Sequence, residues 1–142
     1  TIVGGQLKGD SEPKMFLLYP EGNWIEIGPG TPFVIIGNSG YGKPILNRIV
    51  KYNTSISKAL IAGFLSFDST RVSANDVGFP IDIVIYKNDS FELVEKRYHE
   101  EDLKHVSNEW NESLSTALEK MPEEWMEGII AESDKCLPKF IH

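Results

Sequence analysis

Gly37-Asn38-Ser39-Gly40-Tyr41-Gly42-Lys43 carries the G-x-x-x-x-G-K spacing with which backbone N–H groups and a lysine cradle a nucleotide phosphate. Pro44 stands where that chemistry needs Ser or Thr, and it removes both a metal-reaching hydroxyl and a backbone N–H. A P-loop nucleotide-binding protein is therefore only a remote alternative. Thr1 is a second candidate, because a hydroxyl beside a free α-amine is the nucleophile and base of an N-terminal threonine hydrolase. The third group is Ser73, Asn75 and Asp76 at a break between two periodic stretches, with Ser39 on another loop. Short polar side chains at such breaks commonly cap loops. His99, His105 and His142 share no ligand spacing with one another or with Cys136, so neither a metal site nor a cofactor is expected.

The elements that position these residues follow from periodicity. Ala59, Leu60, Gly63, Phe64 and Phe67 recur at helical steps and form one apolar face. Val77-Gly78-Phe79-Pro80 breaks that period, and Ile81, Ile83 and Ile85 then alternate with Asp82, Val84 and Tyr86 as in a strand covered on both faces. Helix, bend and buried strand thus run in succession. Before them, Thr1-Ile2-Val3 opens a strand, and Met15 to Tyr19 pairs with Trp24 to Ile27 across a Pro20-Glu21-Gly22-Asn23 turn. Phe33 to Ile36 reads as a short apolar strand ending at Gly37, and Pro44 suits the first turn of a helix. After the central strand a polar turn at Lys87-Asn88-Asp89-Ser90 leads into Phe91 to Glu95, bringing the expected total to about six strands. Leu103, Val106, Trp110, Leu114, Ala117 and Met121 stripe a later helix that opens on Glu100, Glu101 and Asp102. A last helix is expected from Glu123 to Ser133.

With 142 residues and 41% hydrophobic content, the chain suits one domain over residues 1–135 and a loose tail over 136–142. A net charge of −7 without a basic stripe argues against nucleic acid or an anionic membrane as partner. The lone Cys136 cannot close an internal disulfide, and no apolar run approaches a membrane span, so a cytoplasmic setting is expected. The sequence begins without Met, as a processed, trimmed or fragmentary chain does.

Three blocks in order carry a family resemblance. They are Gly4-Gly5-Gln6-Leu7-Lys8-Gly9 with Phe16 to Asn23, then Gly37 with Tyr41 to Arg48, then Asp68-Ser69-Thr70-Arg71 through Asp82. Together they resemble the later portion of the bacterial proteasome-type peptidases called Anbu. The resemblance implies an α+β fold, the αββα sandwich of antiparallel sheets of N-terminal nucleophile hydrolases, here lacking the opening strands and first two helices. It implies part of a self-assembling threonine peptidase subunit, with peptide or unfolded protein as substrate and a homo-oligomer and the missing N-terminal portion as partners.

The same resemblance places Thr1 within the parent fold, with the nucleophile upstream of it. Leu17 and residues 30–34 supply neither the Asp nor the Lys that a catalytic threonine needs. Proteasomal subunits put a Ser before the third helix and an Asp and Ser at the bend, all supporting the terminal amine. Ala74 and Val77 stand at those bend positions here, so the bend's role falls to Asn75 or Asp76 by a slipped register, with Ser39 the supporting candidate on the other loop. Gln6 and Lys8 are candidates for lining a neighbour's substrate site. The chain alone is expected to be inactive, and a non-catalytic assembly or shell module is the alternative reading.

Overall fold

The structure, a computed structural model, describes residues 1–135; the expected tail at 136–142, with Cys136 and His142, lies outside the described residues. The described residues form an α+β chain with antiparallel sheets and four helices. Two compact units divide it, Thr1–Ser107 and Asn108–His142.

In the first unit, β1 (Ile2–Gly5), β2 (Lys14–Leu18) and β3 (Trp24–Glu26) make an antiparallel meander, with Ile2 opposite Leu17 and Leu18 opposite Trp24. Gly4 is needed where the strands approach, since a Cβ there would lie 3.2 Å from the Lys14 carbonyl oxygen. Phe16 and Trp24 lock the β2–β3 pair edge to face, with ring centroids 5.3 Å apart. The strand expected at Phe33 to Ile36 does not form. The segment bonds to no strand and instead lines a cleft beside β2 and β3 with Phe33, Val34 and Ile35. Five strands result in place of six.

Helix α1 (Lys43–Ile49) carries Pro44 in its first turn and buries Leu46. Helix α2 (Ile56–Ser73) starts at Ser55, whose hydroxyl accepts from the Lys58 N–H. Two sides of α2 are engaged. Ser66 meets Gly42 at the start of α1, so closely that a Cβ on Gly42 would stand 2.5 Å from the Ser66 carbonyl oxygen. Ala59, Leu60, Gly63, Phe64 and Phe67 face Ile81 and Ile83 across a hollow of about 410 Å³. The apolar helical face expected from the sequence is thus the one turned toward the following strand.

Ala74 ends α2, buried, with its N–H on the Thr70 carbonyl at 2.8 Å. The chain then bends into β4 (Ile81–Tyr86), which pairs with β5 (Leu93–Tyr98) from Ile81 opposite Tyr98 to Tyr86 opposite Leu93. Coverage of β4 on both faces is not found: Ile81, Ile83 and Ile85 are half-buried, while Asp82 and Val84 are exposed. The outer face instead carries a bidentate pair, Arg97 Nε and Nη2 each donating at 2.7 Å to the two oxygens of Asp82. Leu93 and Val94 are also exposed, at 63% and 62%.

Helix α3 (Glu100–Leu118) contributes its first two turns to this unit, with Ser107 buried. The second unit holds the rest of α3 and α4 (Glu127–Lys135). Trp110 is half-buried there rather than buried, and Leu114, Leu118, Met121, Trp125, Ile129 and Ile130 are exposed. The expected final helix starts later than Glu123, at Glu127, beyond a short turn in which the Met126 N–H bonds to the Glu123 carbonyl.

Candidate functional site

Three places in the first unit hold the residues singled out from the sequence. The first is an open cleft of about 400 Å³ beside the β1–β2–β3 sheet. Leu17, Ile25 and Ile27 line it from the strands, and Phe33, Val34 and Ile35 from the loop. Ser39, Lys43 and Asn47 give it a polar end. Lys43 and Asn47 sit one turn apart on α1, so that helix aims both at the cleft. Chemically, this is an apolar trough ending in a cation, a hydroxyl and an amide. Across the 37–43 loop, Gly37 takes a positive φ of 84°, Gly42 is buried against Ser66 and Pro44 occupies the helix start, so Gly42 serves the contact between helices.

The second place is the bend after α2. Asn75 and Asp76 are exposed on a turn closed by the Val77 N–H on the Ala74 carbonyl at 3.3 Å, and Ser73 is the exposed last residue of the helix. Among the described residues no hydrogen bond joins Ser39, Asn75 and Asp76 to one another.

The third place is the sheet edge. Thr1 is exposed, its amine donates to the Leu18 carbonyl at 3.1 Å, and its carbonyl accepts from the Leu18 N–H at 2.8 Å. It is thus bonded as a strand residue, opposite the end of β2. Gln6, half-buried just past β1, spends its whole amide inside the unit. Its oxygen accepts from the Tyr86 hydroxyl and the Asp89 N–H, both at 2.9 Å, and its nitrogen donates to Asp89 Oδ1 at 2.7 Å and the Asp10 carbonyl at 3.2 Å. Lys8 lies exposed in the next turn.

A fourth cluster was not singled out as chemistry. Asp68, 5% exposed on α2, accepts from Arg71 Nε at 2.8 Å and from the Ser107 hydroxyl at 2.9 Å, both on Oδ1. The available signal was the i, i+3 placement of Asp68 and Arg71 on α2; Ser107 lies 39 residues away and left none. Among the described residues no group of His, Cys, Asp and Glu is arranged to hold a metal ion, and no helix is long and apolar enough to cross a membrane.

Neither a protein-family model nor a curated protein matches this sequence. Solved structures do. The Gly-1 mutant of Anbu from Hyphomicrobium sp. strain MC1 is 45% identical with a TM-score of 0.82, covering 86% of this chain and 54% of that one. The helical assembly of the Anbu complex from Pseudomonas aeruginosa is 38% identical with a TM-score of 0.81, over 85% of this chain and 51% of that one. Anbu from Yersinia bercovieri, an ancestral β-subunit, is 37% identical with a TM-score of 0.81, over 85% and 52%. This chain spans about half the length of the Anbu chains it matches, and over that half it is Anbu-like in both sequence and fold.

Proposed function

We propose that this chain is the later portion of a single proteasome-like domain, residues 1–135, and contributes to a self-assembling threonine peptidase subunit. In this reading the complete fold is the αββα sandwich, and the nucleophile lies in the half of an Anbu chain that has no counterpart here. The observation that carries it is the 45% identity and 0.82 TM-score over 86% of the chain against only 54% of the Anbu chain. The apolar cleft over β2 and β3 supports it, because a sheet face lined by Leu17, Ile25 and Ile27 is favourable only when covered. Ser39, Asn75 and Asp76 are the residues of this half that would support the terminal amine of the nucleophile. Gln6 is committed to contacts within its own unit, which leaves Lys8 as the freer candidate for a neighbour's substrate site.

Thr1 does not serve as the nucleophile in this reading. Catalysis by a terminal threonine needs an exposed hydroxyl, an amine tuned by a nearby cation and donors for the oxyanion. Its amine is instead spent on the Leu18 carbonyl. The test is to assay this chain with fluorogenic peptides and a threonine-reactive epoxyketone, alone and after co-expression with the remaining half of an Anbu sequence. Inactivity alone and turnover after co-expression are expected. Activity of the chain alone that is lost in Thr1→Ala overturns the proposal.

A second reading, a non-catalytic shell module, is favoured by one observation: the Anbu complex from Pseudomonas aeruginosa is a helical assembly. Ordered particles after co-expression, without turnover or probe adduct, would select it.

A further inference from the structure

The Asp68 carboxylate is enclosed in α2, where an unpaired charge is strongly unfavourable, so its partners are fixed by necessity. One of them, Arg71, is only 24% exposed at its side chain and faces three groups at once. Its Nε bonds to Asp68, its Nη1 lies 3.8 Å from Glu100, and its guanidinium carbon sits 5.4 Å from the centre of the Phe79 ring. Phe79 also packs on Phe67, edge to face with centroids 5.3 Å apart. Phe79 is also the far end of the bend whose near end is buried Ala74. The turn bearing Asn75 and Asp76 is therefore exposed but clamped at both ends.

We infer that the Asp68–Arg71 pair is a positioning device for the Asn75–Asp76 turn, fixing it through Phe79 and tying it to α3 through Ser107 and Glu100. The inference rests on the proposed function for the chemical use of that turn, but not for the mechanical link. Asp68 sets where the guanidinium lies, the guanidinium covers Phe79, and Phe79 sets the exit direction of the bend. A conservative change at either charged residue loosens the turn beyond any general loss of stability.

The test compares Asp68→Asn and Arg71→Lys with Leu46→Ala, which removes a buried side chain from α1, outside the Asp68, Arg71, Phe79, Ser107 and Glu100 set. Backbone amide exchange is measured on the 142-residue chain at conditions of matched global stability. Asp68→Asn and Arg71→Lys are expected to accelerate exchange at residues 75–79 about tenfold more than at 81–86, and Leu46→Ala to affect both alike. Equal acceleration of both segments in Arg71→Lys overturns the inference, and that variant decides alone if Asp68→Asn does not fold. In the particle reconstituted with the missing half, Arg71→Lys is expected to lower kcat with KM unchanged. An unchanged kcat with a loosened turn overturns the positioning role. Absence of any turnover refutes the peptidase reading, while the exchange result still decides the link.

Discussion

Gly42→Ala isolates one contact cleanly. Gly42 has φ −93° and ψ −27°, ordinary right-handed helical angles that alanine adopts without strain, so its backbone conformation does not require glycine. Space does. The added methyl would stand 2.5 Å from the carbonyl oxygen and 2.9 Å from the carbonyl carbon of Ser66, both backbone atoms of a buried residue in the middle of α2. A serine hydroxyl rotates away, but a helix backbone does not, so α1 and α2 must separate. Forced overpacking of this kind costs about 1–3 kcal/mol. Reduced freedom of the unfolded chain returns roughly 0.4–1 kcal/mol. The net loss is then about 1–2 kcal/mol, or roughly 3–8 °C in Tm for a chain of this size. Urea unfolding followed by far-UV circular dichroism reads it as a lowered midpoint at constant slope. Gly40→Ala is the control, since its methyl would meet only Asn38 Oδ1 at 3.8 Å. If Gly42→Ala is as stable as the parent and Gly40→Ala, the two helices do not meet at Ser66 and the packing argument fails.

Trp110→Ala is expected to cost about 2 kcal/mol, less than a fully buried tryptophan because Trp110 is half-buried, while Trp125→Ala, at 79% exposed, should stay within ~0.5 kcal/mol; indistinguishable melting of the two would refute the assignment of the α3 stripe. The hydrogen bond from Arg97 holds the Asp82 carboxyl below its usual 3.8, so the pair's contribution is full above that value and is lost as pH falls through the depressed pKa. An NMR titration of the Asp82 carboxyl should accordingly give a midpoint below 3.8, and a midpoint at or above that value would contradict the pairing. Sedimentation of the isolated chain should show self-association with binding of a hydrophobic dye, given exposed Trp24, Val84, Leu93 and Val94; a compact monomer that binds no dye would count against an uncovered sheet face.

What was legible in the sequence is what local periodicity encodes. The change from helical steps ending at Phe67 to alternation starting at Ile81 marked α2, the bend and β4. Partnership was less legible. Phe33 to Ile36 has strand composition but pairs with no strand, and Val84 has the apolarity of a covered residue but is exposed. The candidate site was readable only as separate fragments. Ser39 on its loop and Asn75 and Asp76 on theirs could be named, whereas the Asp68 and Ser107 bond spans 39 residues and no local pattern announces it.

The Gln6 amide ties the start of this chain to the turn between β4 and β5. Its oxygen bonds to Tyr86 and Asp89, 80 and 83 residues away, while its nitrogen also holds Asp10 nearby. Closing so long a loop costs chain entropy, which the three bonds to Tyr86 and Asp89 offset only together with the packing of the intervening elements. Both ends of the amide are also committed in polarity, with two donors on its oxygen and two acceptors on its nitrogen. Glutamate of the same length would turn a carboxylate oxygen toward Asp89 Oδ1 and the Asp10 carbonyl. Gln6 therefore fastens the meander to the β4–β5 turn, and only a side chain that both accepts and donates can replace it there.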